Sequence, residues 1–362
     1  MTLITERLDW GPLATFVPNK KLPIYNWFYF KEGFSRDLVW NLIKAFDIRA
    51  GQTVLDPFCG VGTTLLACKQ LNINSIGIDV LPIAVLASKV KIAEYDTNIL
   101  KETFKQIFSI KFSDMGDLPE WMRKYFSTHT RKDIIFFKNY IEKIRPVAVR
   151  DFFLLGLISS AVKCSWIWKD GAVLKIRKHP IPPFRKFYAR NLKRMIKEYE
   201  MAPKTDAVCT VDFGDARKIK IEDESIDCVI TSPPYLNQID YTKVYSVENW
   251  FVGFSKPAIR SYLGLRESFI DKLKPVEAYI EDMKNVLKEL YRVCRSGAKL
   301  ALVLGNAYIE GQIIECDAMI GQLAEDIGFS TKEIVVLNKR WALEKRTKKK
   351  GILRESAVIF EK

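Results

Sequence analysis

The sequence predicts an α/β fold: a parallel sheet of seven strands covered by helices and interrupted by a basic, mainly helical insertion. Three observations lead there. Short apolar runs alternate with helical patterns near the N-terminus, the alternation stops at about residue 93, and it resumes at about residue 206. Strand alternating with helix implies parallel strands joined by right-handed crossovers, since each helix must return the chain across one face of the sheet. At 362 residues the chain can form one large α/β domain carrying an insertion, or two ordinary domains. Hydrophobic residues make up 48% and charged residues 28%, a globular composition.

Taken in order, residues 52–56 (QTVLD) form an apolar run ending in Asp56, followed by PFCGVG and the helical pattern TTLLACKQL. This reads as strand, glycine turn, helix. Residues 75–79 (SIGID) make a second buried strand, and Pro82 opens the next helix. After the break, residues 208–213, 226–231, 298–306, 332–338 and 356–360 supply five further strands, and a long helical pattern over 275–294 precedes the third of these. The last two strands, separated by a basic knot, suit an antiparallel hairpin. Residues 1–92 and 206–362 thus form the main domain and 93–205 the insertion.

Several classes are excluded. The segment MTLITERLDWGPL lacks a basic flank followed by an apolar core, so no secretory signal is expected. The run FFLLGLISSAV, residues 152–162, is bounded by Asp151 and Lys163, well short of the roughly 20 residues a membrane span needs. A soluble, cytoplasmic protein is expected. The seven cysteines never form CxxC, and His129 and His179 are the only histidines, so neither a metal centre nor a disulfide framework is expected. The net charge is +14, and residues 89–205 hold 25 Lys and Arg against 12 Asp and Glu. A second knot, residues 339–354 (KRWALEKRTKKKGILR), has eight bases and one acid. Local excess of this kind suits a polyanion, although the lysine-rich faces of a heat-tolerant protein would look alike.

The chemistry lies in four places. In DPFCGVGTT, residues 56–64, Asp56 ends a strand, Gly60 and Gly62 let the backbone turn beside a ligand, and Thr63 opens the helix. Neither the third glycine of a dinucleotide site nor the lysine of a phosphate loop is present, and Asp56 would repel a pyrophosphate while attracting a cation. Asp79, at the end of the next strand, has the position of a carboxylate that reaches ribose hydroxyls. Asp215, in FGDAR, suits an adenine amino group. Together they describe S-adenosylmethionine, although three turn-forming aspartates would give the same letters.

The fourth place is TSPPY. Beyond the strand 226–231, Ser232 offers a hydroxyl acceptor, the carbonyl of Ser232 or Pro233 offers another, Pro233 and Pro234 fix both, and Tyr235 supplies a flat π face. An exocyclic base amine is a poor nucleophile because its lone pair is conjugated into the ring. Two rigid acceptors would draw its nitrogen toward tetrahedral geometry while the tyrosine stacks on the base. Such a base must be extruded or already unpaired.

DPFCGVGTT, Asp79, GDAR and TSPPY resemble motifs I to IV of the S-adenosylmethionine-dependent amino-methyltransferases that make N4-methylcytosine or N6-methyladenine, and residues 22–39 (LPIYNWFYFKEGFSRDLV) resemble the motif X that covers the cofactor. The resemblance covers residues 20–92 and 207–362 and implies a Rossmann-like methyltransferase sheet. It further implies cofactor contacts from Asp56, Phe58, Gly60, Gly62, Thr63, Asp79 and Asp215, with Phe34 and Ser35 from motif X, and a target-base site at Ser232, Pro233, Pro234 and Tyr235. The insertion between motifs II and III departs from the usual orders of the family.

Within that insertion, Lys186, Arg190, Lys193, Arg194 and Lys197 share one face of a helical pattern over 185–200, opposite a stripe that includes Tyr188, Leu192, Met195 and Ile196. A basic face of this kind could lie along phosphates, and an amphipathic surface helix would share the pattern. The nearby Trp166, Trp168, Phe184 and Phe187 are expected in the core. The expected reaction is direct displacement on the sulfonium methyl with no metal. No Pro-Cys pair is present, which argues against C5-cytosine chemistry. The resemblance further implies cytosine N4 over adenine N6, because its N6 enzymes more often carry Asp or Asn where Ser232 stands, and it favours DNA over structured RNA. A non-catalytic nucleic-acid-binding module on the same fold is the competing class.

Overall fold

The computed structural model describes residues 3–170, 173–236, 240–254, 275–344 and 347–362. Among the described residues eight strands form the central sheet: β1 (Leu3–Glu6), β2 (Thr53–Asp56), β3 (Asn74–Asp79), β4 (Cys209–Phe213), β5 (Ile226–Thr231), β6 (Cys294–Gly305), β7 (Ser330–Glu344) and β8 (Lys348–Glu361). Their order is β1-β7-β8-β6-β5-β2-β3-β4. Only β8 runs against its neighbours, pairing antiparallel with β7 and β6 as the expected terminal hairpin. The sheet has one strand more than the seven expected, because β1 adds in parallel to the outer edge of β7. Leu3 and Ile4 are exposed there, so β1 lacks the buried alternation that marks a strand in sequence.

Period-two packing builds both faces. Val54, Cys228, Ile230, Ala301 and Val303 meet α1 (Arg36–Phe46) and α2 (Thr63–Gln70) on one face. Their neighbours Leu55, Val229, Leu300 and Leu302 meet α11 (Pro275–Val293) and α12 (Cys316–Ile327) on the other. Being covered twice, these strands read as continuous apolar runs. The chain order reverses between β2 and β5, and such a switch point opens a crevice at the C-terminal ends of the strands.

The remaining helices are α3 (Pro82–Ile92), the insertion helices α4 (Thr97–Ser109), α5 (Glu120–Arg123), α6 (Thr128–Ile141), α7 (Val147–Lys163) and α8 (Phe184–Glu200), and the short α9 (Tyr241–Val244) and α10 (Ser246–Phe251). The insertion also holds an antiparallel ribbon, Ile167–Asp170 with Val173–Ile176, that the helical reading omitted. Its side chains do not form a core of their own. Phe137, Phe152 and Tyr188 belong to one apolar cluster with Ile83, Ala87 and Val90 of α3 and with Trp27. The apolar run 152–162 is the buried centre of α7, where a Cβ on Gly156 would lie 2.6 Å from Leu192 Cδ2 of α8. Phe184 is buried as expected, whereas Trp168 is 47% exposed. Among the described residues no helix is long and apolar enough to cross a membrane.

Candidate active site

A cleft open to solvent at its mouth occupies the switch point. Asp56, Phe58, Gly60, Thr63, Asp79, Asp215, Phe34, Ser232 and Pro234 all line it. The strand ends explain the convergence: Asp56 is the last residue of β2, Asp79 of β3, and Thr231, one residue before Ser232, of β5.

Each carboxylate is held by hydrogen bonds to neutral groups. Asp56 Oδ1 accepts from Thr231 Oγ1 at 2.6 Å and from the Phe58 amide at 3.2 Å. Asp79 accepts from the Gly60 and Leu81 amides, both at 2.8 Å. Burial pushes both carboxyls up to about 6, and for Asp56 the nearby Asp79 adds to the rise. Among the described residues neither is relieved by a lysine or arginine. Two desolvated carboxylates without a counter-charge favour a cationic ligand. Asp215 differs: Arg217 holds it at 2.7 Å and reaches Asp282 at 2.6 Å, so its carboxylate enters the cleft already paired.

The glycine turn is clamped from α3. Ser88 Oγ donates to the Gly60 carbonyl at 2.8 Å, and the buried Lys91 Nζ donates to the Val61 carbonyl at 3.0 Å. Burial alone lowers the Lys91 pKa to about 7. Gly62 does not line the cleft. It caps α2 with φ 75°, and a Cβ there would lie 2.9 Å from Ser88 Oγ, so glycine permits the approach of α3.

Three other expected contacts lie off the cleft. Ser35 is fully buried and caps α1, its Oγ accepting from the Leu38 amide. Pro233 is buried behind the lining. Tyr235 turns its ring onto Gly305, where a Cβ would lie 3.0 Å from the ring, and donates from Oη to Glu355 at 2.8 Å. The cleft thus unites Asp56 and Asp79 with Ser232 and Pro234 rather than with Tyr235. Aromatic surface inside it comes from Phe30 and Tyr241, stacked 6.2 Å apart, together with Phe34 and Phe58. Glu32, also on the lining, accepts from Tyr245 Oη at 2.6 Å. Phe30 and Glu32 lie in the motif X segment already quoted, where aromatic density was the available signal. Tyr241 follows the proline corner with no spacing rule to single it out.

Lys186, Arg190, Lys193, Arg194 and Lys197 are exposed along α8. Arg194 is committed to Asn26, to Glu198 at 3.2 Å and to Asn191 at 2.8 Å. The end of α8 lies away from the cleft: Tyr199 bonds Glu94 and Tyr95, just past the end of α3, whereas α3 begins beside Leu81 of the cleft. Among the described residues no cluster of three His, Cys, Asp or Glu side chains could hold a metal ion.

A cleft at a parallel-sheet switch point, with a glycine turn, two carboxylates held among the described residues by neutral donors alone and a proline corner, suits an enzyme that binds a nucleotide-like cation. The chain belongs to the DNA methylase family, whose model matches residues 15–89 and 226–362. It is 28% identical to the Type II methyltransferase M.BsoBI of Geobacillus stearothermophilus, over 97% of this chain and 88% of that protein. It is 26% identical to the Type II methyltransferase M.AvaI of Nostoc sp., over 90% and 83%, and 23% identical to M.MjaII of Methanocaldococcus jannaschii, over 83% and 76%. A solved S-adenosylmethionine-dependent methyltransferase from Methanosarcina mazei matches at 12% identity and a TM-score of 0.36, covering 89% of this chain and 96% of that one.

The cofactor is S-adenosylmethionine, and the donor set fits it. Asp56 and Asp79 meet the need for groups that attract a cation and accept from hydroxyls, and Phe34 and Phe58 offer apolar walls.

Proposed function

We propose that this chain methylates the exocyclic N4 amino group of cytosine in DNA. The observation that carries the reading is that Ser232 and Pro234 share one cleft with Asp56 and Asp79, so that the base corner and the cofactor carboxylates face a common space. S-adenosylmethionine supplies a methyl carbon on a positively charged sulfur. The work of the chain is placement: Ser232 and the adjacent carbonyls accept from the amine, and the prolines keep those acceptors from relaxing.

Tyr235 takes a different part from the one expected. Anchored to Gly305 and Glu355, it fixes the corner to β6 and β8, while Phe30 and Tyr241 offer the flat faces nearer the cofactor carboxylates. Along α8, Lys186, Arg190 and Lys193 remain the phosphate-facing candidates, with Arg194 held internally and Lys197 near the far end of the helix.

Serine before the prolines favours cytosine over adenine. Adenine N6 is the second reading, since the family model describes a DNA methylase without choosing between the amines. Structured RNA, the alternative polymer, finds no support among the relatives. Incubating the protein with methyl-labelled cofactor and separate duplex DNA and RNA pools, then digesting to nucleosides, tests both points. Label in N4-methyldeoxycytidine is expected; label in N6-methyldeoxyadenosine or in ribonucleosides overturns the assignment.

A further inference from the structure

The second basic knot of the sequence has a specific place in the fold. β8 pairs with β6 only from Glu355 onward, opposite Gly305, the last residue of β6. Ahead of that point residues 348–354 pair with β7 alone, Lys339 opposite Arg354 through Glu344 opposite Lys348. β6 is parallel to β5, so the two-stranded extension projects beyond the same sheet end at which Asp56, Asp79 and Ser232 open the cleft. Its length is roughly 15–20 Å.

The extension is braced along its inner face, where Arg340 stands opposite Leu353, while Lys349 joins Trp341 on the outer face. Ala342 and Leu353 are buried on its inner face, and a Cβ on Gly351 would collide with Ile313 of the short hairpin Ala307–Ile309 with Gln312–Ile314. Trp341 and Ile352, a cross-strand pair, are 51% and 48% exposed on the outer face. Lys349 Nζ lies 4.5 Å from the centre of the Trp341 ring. Arg340 and Lys348 are exposed, with no carboxylate in ion-pair range among the described residues. At its root, Glu355 accepts from Tyr235, and Leu236 shares a depression with Arg340, Trp341 and Leu343. The arm is thereby fastened to the proline corner itself.

We infer that this ribbon, residues 339–344 paired with 348–354, is a duplex-contacting arm that holds the phosphate backbone beside the site where the target base enters the cleft. Charge, shape and position agree on one partner. The arm concentrates cations on a two-stranded ribbon, a form that fits against a duplex groove, and it stands at the catalytic end of the sheet, whereas the C-terminal end of α8 packs beside Glu94 and Tyr95. The inference rests on the reading that the substrate is DNA.

The test is equilibrium binding of the full chain, with S-adenosylmethionine present, to labelled duplex DNA across a salt series, comparing wild type with the triple variant Arg340→Gln, Lys348→Gln, Lys349→Gln. Affinity should fall about tenfold or more, and the slope of log affinity against log salt should shrink by about 3, one for each lost phosphate contact. Cofactor affinity by calorimetry should be unchanged, which establishes folding; Lys348→Glu alone provides a milder second variant. Wild-type affinity and slope in both variants, or a wild-type protein that binds no duplex at low salt, would overturn the arm. Nucleoside analysis keeps the two readings apart. Methylation of DNA with salt dependence unaltered by the variants sinks the arm alone, and methylation confined to RNA sinks the substrate reading.

Discussion

The Thr231 hydroxyl donates to Asp56 Oδ1 across 2.6 Å, joining the last residue of β5 to the last residue of β2 inside the core. This bond couples the cofactor turn to the proline corner, because Phe58 bonds the same oxygen on one side and Ser232 follows Thr231 on the other. Replacing Thr231 by Val keeps the shape and removes the donor. The expected result is a loss of about 1–2 kcal/mol in unfolding free energy together with weaker cofactor binding. Chemical denaturation and calorimetry on one preparation check both.

Asp56 and Asp79 give the cleft a defined response to pH. Both carboxyls are raised to about 6 by burial, above the value near 4 of an unfolded chain. Between those values the folded protein holds protons that the unfolded chain has released, so the stability of the free protein falls as pH rises through the window. Affinity for a cationic cofactor should move the other way, rising as pH passes through about 6. Calorimetric titration on both sides of that pH checks the sign; an affinity independent of pH would contradict it.

Asp56→Asn separates folding from binding. Asparagine retains an oxygen to accept from Thr231 and Phe58 but places no charge in the core. At alkaline pH the variant should be more stable than wild type by on the order of 1–3 kcal/mol while binding S-adenosylmethionine at least tenfold more weakly. Unfolding midpoints and binding isotherms measured together decide the matter.

Tyr235→Phe distinguishes an anchoring tyrosine from a stacking one. The ring stays against Gly305, but the hydrogen bond to Glu355 is lost, at a cost of about 1 kcal/mol in stability. An anchor predicts that kcat falls several-fold because the corner loosens. Unchanged kcat with Phe, combined with a large loss with Ala, would return the residue to stacking on the base.

Gly62→Ala tests the clamp from α3. A residue with a side chain at φ 75° costs about 1–2 kcal/mol, and the 2.9 Å approach to Ser88 adds to it. A drop of about 2–4 kcal/mol is expected in urea unfolding. If the variant unfolds with the wild-type midpoint, the close approach carries no weight.

Much of this site was legible because its residues sit at the ends of strands. Asp56, Asp79 and Thr231 each close an apolar run, and a run that must stop at the sheet edge delivers its last side chain to the switch point. The spacing in α8 likewise placed its cations outside and Tyr188 and Met195 inside. What failed were directions fixed by distant partners. The ring of Tyr235 is aimed by Gly305 and Glu355, far along the chain, and local rules see neither. Ser35, a cofactor candidate by the motif X resemblance, caps α1 with its side chain. Strand β1 escaped notice because an edge strand with exposed Leu3 and Ile4 leaves no periodic trace.

The sharing of one apolar cluster by Phe137, Phe152 and Tyr188 with Ile83, Ala87 and Trp27 bears on how such an enzyme can be re-engineered. Exchanging residues 93–205 as a cassette for another methylase's corresponding segment is expected to destabilise the protein, because excision would strip the outer side of α3 and uncover the helix that clamps Gly60 and Val61. A chimera would have to carry α3 along with its guest, and with it part of the cofactor turn.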